Sequence, residues 1–115
     1  MSWNDKSNYE INKAVAETEK INLCEGQHYL PRISYWNDKG HCSMFDPCTN
    51  IQDAWPIMKE YNIDVEWPDE VNYCGTVTRY LEEGAVVVQK DFTDKEEALR
   101  CAMIVYLQSE GVSCE

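Results

Sequence analysis

The chain has 115 residues and a mass of 13.4 kDa, which suits one domain of ordinary size. Its hydrophobic content of 43% is too high for a disordered chain. Acidic residues outnumber basic ones by 21 to 10, giving a net charge of −11 and a pI near 4.5. This balance argues against direct binding to nucleic acid or to an anionic membrane, because both need clustered Lys and Arg.

No segment of the chain has the composition of an export signal or a membrane span. The first residues lack a basic stretch followed by an apolar run, and no stretch approaches 18 apolar residues. We therefore predict a cytoplasmic protein, a setting in which cysteines stay reduced. All six cysteines are then expected to be free thiols, and Cys101, within an apolar helical run, is expected in the core.

The first part of the chain predicts one helix followed by a less regular segment. Apolar residues recur at helical spacing over residues 8–19. Residues 29–35 favour a short strand, which Pro31 would confine to a sheet edge because proline lacks a backbone N–H. Residues 37–40 are typical of a turn, so the segment 21–44 is either irregular or a hairpin insert.

The middle of the chain predicts a second helix and the first strand of a sheet. Thr49 or Asn50 can cap the helix, whereas Pro56 favours a start near Ala54, and the sequence leaves both starts open. Residues 63–67 then alternate apolar and acidic side chains, which is the period of a half-buried strand.

The last part predicts two more strands and a long helix. Residues 73–80 and 85–92 are rich in β-branched and aromatic side chains, and the turn at 82–84 connects them. A capping box at residues 93–96 precedes the helix. That helix is apolar on nearly every side over residues 98–107, so it should be largely buried.

These elements predict an α+β fold in a single domain spanning residues 1–115. A small antiparallel sheet of three to four strands would be packed on one side by about three helices, giving two layers, because the strands follow one another through short links. Residues 1–7 and 110–115 are expected to be frayed.

Three segments together resemble a known family. They are YEINKAVAE at residues 9–17, FDPCTNIQDAWPIMKEYNIDV at 45–65 and ALRCAMIVYL at 98–107. In this order they are similar to the NinX-like family of small proteins from tailed phages and prophages, whose members are mostly of unknown function. The resemblance implies a phage origin and no particular reaction. The segment 24–44 and the valine-rich strand at 85–92 have no counterpart in it.

Trp55 and Pro56, in the most specific of these segments, are expected to have structural roles. A tryptophan buries a large area, and most aromatic side chains of this kind belong to the core. Pro56 would fix the backbone at the entry to the helix. We therefore expect Trp55 to be buried.

No phosphate-binding loop or nucleophile motif occurs in the chain, so we predict neither an enzyme nor a metal or cofactor. The less favoured alternative is a small zinc or thiol enzyme built from His28, His41, Cys42 and Cys48. Five residues lie between Cys42 and Cys48, whereas two to four residues lie between the paired cysteines of zinc sites.

The negative charge is concentrated in residues 60–97, where 11 acids and 3 bases give −8. Side-chain alternation puts two acids of the strand at 63–67 on the face opposite its apolar residues. We predict a partner-binding acidic face formed by Asp64, Glu66, Asp69, Glu70, Glu82 and Glu83. The alternative is an ordinary solvated surface.

We therefore predict a phage-encoded accessory protein of the bacterial cytoplasm. It would bind a basic surface on a host protein that handles nucleic acid, for example a defence system such as a CRISPR effector, and inhibit it. The alternative is a homo-oligomeric protein of phage assembly or replication, such as a homodimer, with Trp3, Tyr35 and Trp36 exposed at its interface.

Overall fold

The computed structural model describes residues 2–24, 33–71 and 73–114. The helices in these residues are α1 (Asn8–Thr18), α2 (Ile51–Glu60) and α3 (Ala98–Ser109), with 3₁₀ turns at Trp3–Asp5 and Lys95–Glu97. The strands are β1 (Ile33–Trp36), β2 (Cys42–Phe45), β3 (Ile63–Glu66), β4 (Gly75–Tyr80) and β5 (Val86–Phe92). The last three strands form the main sheet, and the first two form a separate hairpin.

The main sheet has the order β3-β4-β5, and both neighbouring pairs are antiparallel. Its inner face carries Ile63, Val77 and Phe92, which are buried in the core. α3 contacts all three strands and is itself contacted by α1 and α2, so residues 101–107 are buried on every side. The predicted α+β fold, a single domain with a small antiparallel sheet and three helices, is confirmed in the described residues.

The segment 21–44 contains a hairpin, one of the two structures that its sequence left open. β1 and β2 pair antiparallel along their whole length. Asn37 holds the turn between them, because its Oδ1 accepts hydrogen bonds from the N–H groups of Lys39 and His41 at 2.9 and 3.1 Å. The first part of the strand predicted at residues 29–35 lies outside the described residues.

One pair of cysteines forms a disulfide, so the prediction of six free thiols is wrong. Cys24 and Cys42 are bonded, with their Cα atoms 6.5 Å apart, although 18 positions separate them in the sequence. The hairpin is the reason: Cys42 opens β2, and Leu23 forms a bridge with Tyr35 of the paired strand β1. Cys101 is buried in the core, as predicted.

α2 begins at Ile51, so the later start near Ala54 is wrong. Asn50 is the N-cap, since its Oδ1 accepts a hydrogen bond from the N–H of Gln52 at 3.0 Å. Pro56 lies inside the helix, where it removes one backbone hydrogen bond, and the favourable cap and buried face outweigh that loss.

Residues near both ends pack against the helices, although the sequence predicts that they fray. Trp3 is buried, and its indole N–H donates to the carbonyl of Val112 at 3.2 Å. The Arg100 guanidinium of α3 donates to the carbonyls of Asn4 and Lys6 at 3.0 and 2.5 Å. Sequence periodicity carries no signal for these bonds, because the partners are far apart along the chain.

A partly buried hydrogen-bonded cluster joins the C-terminal ends of α1 and α2 to α3 beside the sheet. The phenols of Tyr61 and Tyr106 both donate to one carboxylate oxygen of Glu19, at 2.8 and 2.5 Å. Arg79 of β4 lies 5.1 Å from the centre of the Tyr61 ring and pairs with Glu110 at 2.6 Å. The hydrogen bond to Glu19 raises the pKa of Tyr61 to about 12, because it stabilises the protonated phenol beside an anion.

Gly75 is required by close packing at the start of β4, and we expect Gly75→Ala to destabilise the protein by about 2 kcal/mol. An added Cβ would lie 2.3 Å from the Phe92 ring and 2.7 Å from the Glu66 carbonyl oxygen. The second contact is with backbone, so moving away from it would disturb β3. Chemical denaturation measures the loss.

Gly84→Ala is the matched control for this substitution. Gly84 has a positive φ of 85°, but nothing lies within 4 Å of an added Cβ, so about 1 kcal/mol is expected from backbone strain alone. A Gly75→Ala variant no less stable than Gly84→Ala would contradict the packing explanation.

Candidate protein-binding site

Two carboxylates of β3 lie side by side on the outer face of the main sheet. Asp64 is paired with Thr78 and Glu66 with Thr76 across the ladder between β3 and β4. Because side chains alternate along a strand, both acids point away from the face that carries Ile63. Both are exposed. The strand therefore presents two negative charges to solvent at a spacing of two residues.

The outer face of the described strands carries acidic side chains and no basic ones. Asp91 of β5 lies on this face and accepts a hydrogen bond from the hydroxyl of Thr76 at 3.1 Å. The two bases in these strands, Arg79 and Lys90, occupy inner-face positions of the register. Arg79 is turned to the helices, where it binds Glu110. The outer face therefore has an uncompensated negative charge.

The six acids predicted to form one binding face fall into two groups in the structure. Asp69 and Glu70 are exposed in the connection after β3, at the Glu66 end of the strand. Glu82 and Glu83 are exposed in the turn between β4 and β5, at the opposite end of β4. About 17 Å of strand separates these ends, so the turn acids are distant from Glu66, Asp69 and Glu70, whereas Asp64, opposite Thr78, lies between the two groups.

A groove of about 520 Å³ follows β3, which is an edge strand of the main sheet. Residues 63–67 line it throughout, together with Thr78 and Tyr80 of β4. Its other walls are Ile51, Trp55 and Met58 of α2 and Leu99 of α3. These described lining residues include the two β3 carboxylates and no basic side chain. We call this feature the β3 groove.

Two exposed tryptophans line the β3 groove. Trp55 of α2 is 54% exposed, so the prediction that it belongs to the core is wrong. The buried face of α2 is formed by Ala54, Ile57 and Met58, and Trp55 lies off that face. Trp67, just after β3, is 53% exposed and makes an edge contact with Phe92, with ring centres 6.2 Å apart.

The two cysteines of the alternative thiol or zinc enzyme are a disulfide-bonded residue and a buried one. Cys42 is held in the disulfide with Cys24. Cys48 is fully buried, and burial raises the pKa of its thiol to about 12, which opposes formation of a nucleophilic thiolate. His41 is exposed next to Cys42, and His28 lies outside the described residues. No group of three residues suited to metal binding occurs in residues 2–24, 33–71 or 73–114.

The aromatic residues proposed for a homodimer interface are only partly available. Trp3 is buried, which contradicts the prediction that it is exposed, because it packs near Val112 at the other end of the chain. Tyr35 is half-buried and makes an edge contact with Phe45 at 5.9 Å between ring centres. Trp36, at the end of β1, is 47% exposed.

Comparison with known proteins identifies a family for nearly the whole chain. The family model described as "Bacteriophage P22, NinX" matches residues 3–110. No curated protein and no solved structure shows significant similarity to the chain. Within the described residues, none of the helices combines the length and the apolar character needed to cross a bilayer.

Proposed function

This chain belongs to the bacteriophage P22 NinX family, and from that origin we propose that it binds a host protein that handles nucleic acid and inhibits it. The target's basic nucleic-acid-binding surface would be covered by the outer face of the main sheet and the β3 groove. A defence complex, such as a CRISPR effector, is a target of this class. The protein would act in the cytoplasm of the infected bacterium, by occupancy rather than by catalysis, and without a cofactor.

The observation that carries the proposal is the one-sided charge of the sheet. Asp64, Glu66 and Asp91 lie on its outer face, while Arg79 and Lys90 occupy inner positions. This separation of acidic and basic side chains onto opposite faces is consistent with an outer surface that binds a cationic partner. The net charge of −11 adds a long-range field of the same sign.

The physical basis of inhibition is competition for the same side chains. Lys and Arg residues that bind phosphates also pair with carboxylates, so an acidic protein seated on them excludes nucleic acid. Attraction between opposite fields also speeds the encounter, and added salt weakens it. The proposal therefore requires both competition with nucleic acid and strong salt dependence.

We expect the double substitution Asp64→Lys and Glu66→Lys to weaken target binding about tenfold or more, because it places like charges against the basic surface. Both side chains are exposed, so the fold should be retained. The partner is first isolated from nuclease-treated lysate of the host at two salt concentrations. Calorimetry then compares its affinity for the wild type and the variant, and a filter assay measures its nucleic-acid binding with each protein present.

The variant Glu82→Lys and Glu83→Lys is the matched control, since it makes the same charge change in the turn between β4 and β5, beyond the Ile63 end of β3. The proposal predicts that this control still binds and still blocks nucleic-acid binding. A partner that binds the wild type and the Asp64/Glu66 variant equally well would refute the proposal. So would a partner whose nucleic-acid binding is unchanged by a saturating amount of this protein.

A further inference from the structure

The β3 strand has a hydrogen-bonding neighbour on one side only among the described strands, because it is at the edge of the main sheet. An edge strand has backbone N–H and C=O groups directed away from the sheet, and these can pair with a strand from another chain. The β3 groove lies along this edge over residues 63–67. The edge is therefore both accessible and bordered by a surface into which side chains can fit.

The two faces of this edge differ in chemistry. On the outer face, an added strand would meet the carboxylates of Asp64 and Glu66. On the inner side it would meet the apolar wall of the β3 groove, which includes Ile51, Trp55 and Trp67. A strand sends successive side chains to opposite faces, so a matching strand would alternate basic and apolar residues.

We infer that β3 binds an extended segment of the target that alternates Lys or Arg with apolar residues, adding it as a further strand. This inference rests on the proposed function and specifies how its binding site recognises the partner. The basic side chains pair with Asp64 and Glu66, and the apolar ones pack on Trp55 and Trp67. The backbone hydrogen bonds of the new strand supply affinity that is independent of sequence.

A second copy of this chain does not meet these requirements. Pairing β3 with β3 of another copy would bring the Asp64 and Glu66 carboxylates of one copy beside those of the other. Like charges facing each other across a ladder are destabilising. The charges of the edge therefore favour a cationic segment of a different protein.

The probe is a blocked hexapeptide, acetyl-Lys-Val-Lys-Val-Lys-Val-amide, and calorimetry at low salt measures its affinity. We expect it to bind about tenfold more tightly than the block peptide acetyl-Lys-Lys-Lys-Val-Val-Val-amide, which has the same composition and charge. Two further forms carry N-methyl groups on alternate residues, one form for each edge of the peptide. One of them should lose binding and the other should retain it, because only one edge of the peptide faces β3.

Protein variants locate the two halves of the site. We expect about tenfold weaker binding of the alternating peptide to the double variant Asp64→Lys and Glu66→Lys, and likewise to the single variant Trp55→Ala. The control variant Glu82→Lys and Glu83→Lys should bind this peptide as the wild type does. Trp55 is an exposed helix residue, so its removal should leave thermal unfolding nearly unchanged, and Trp67→Ala provides a second test of the groove.

Equal affinity for the alternating and block peptides, or retention of binding by both N-methylated forms, would overturn the inference. If the binding of the host target nevertheless depends on Asp64 and Glu66, the proposed function still holds, and charge alone accounts for the binding. Conversely, the peptides could bind as expected while the host target binds the wild type and the Asp64/Glu66 variant equally well. That result would refute the proposed function but would leave the strand-binding edge supported.

Discussion

Replacing Glu19 by alanine is expected to destabilise the protein by about 3 kcal/mol, because one carboxylate oxygen accepts hydrogen bonds from two phenols. Tyr106 is fully buried, so its hydroxyl would lose a charged acceptor without gaining water. The substitution also disconnects α1 from α2 and α3 at this point. Urea denaturation measures the change in the free energy of unfolding.

Glu17→Ala is the control, since Glu17 is an exposed residue of α1 two positions before Glu19 and should change stability by no more than about 0.5 kcal/mol. The alkaline titration gives a second readout. The Tyr61 pKa is raised from 10.0 to about 12 in the folded protein, so its contribution to stability is complete below pH 10 and is lost as the pH rises towards 12. In Glu19→Ala this loss should shrink. If Glu19→Ala lowers the free energy of unfolding no more than Glu17→Ala does, the cluster does not stabilise the fold.

Opening the Cys24–Cys42 disulfide is expected to lower the free energy of unfolding by about 3 kcal/mol. The bond closes a loop whose ends are 18 positions apart, and its loss returns that conformational freedom to the unfolded chain. Denaturation of the wild type with and without dithiothreitol measures the difference. The double variant Cys24→Ser and Cys42→Ser should match the reduced wild type and should not respond to dithiothreitol.

A wild-type denaturation midpoint that is unchanged by dithiothreitol would show that the pair does not contribute to stability. A reducing cytoplasm, where we propose that the protein acts, keeps such pairs open. The reduced form is therefore the one to use in binding experiments. β3 and its groove are built from other elements, so reduction should leave target binding intact.

Several elements could be predicted because their signals are local. The apolar run at residues 98–107 predicts a largely buried helix, and α3 is buried over residues 101–107 because it touches both the sheet and two helices. Alternation at residues 63–67 predicts the strand observed as β3 and the exposure of its acids. Asn50 could be predicted as an N-cap because an asparagine side-chain oxygen can accept a hydrogen bond from a free backbone N–H in the first turn of a helix.

The remaining features depend on contacts between distant parts of the chain. Trp55 is exposed because α2 packs through a neighbouring stripe, and the direction of that stripe is set by α3 and β3. Cys24 meets Cys42 only because the hairpin folds back. The turn acids Glu82 and Glu83 lie at the opposite end of β4 from Glu66, Asp69 and Glu70, which a count of charge per segment does not resolve.

The most direct test of the central claim is amide hydrogen exchange of the protein alone and in complex with its isolated host target. We predict new protection at residues 63–67, with the exchange of residues 82–84 unchanged, because the target binds at the β3 edge. Protection confined to the 82–84 turn or to the β1–β2 hairpin, with β3 exchanging as it does in the free protein, would contradict it.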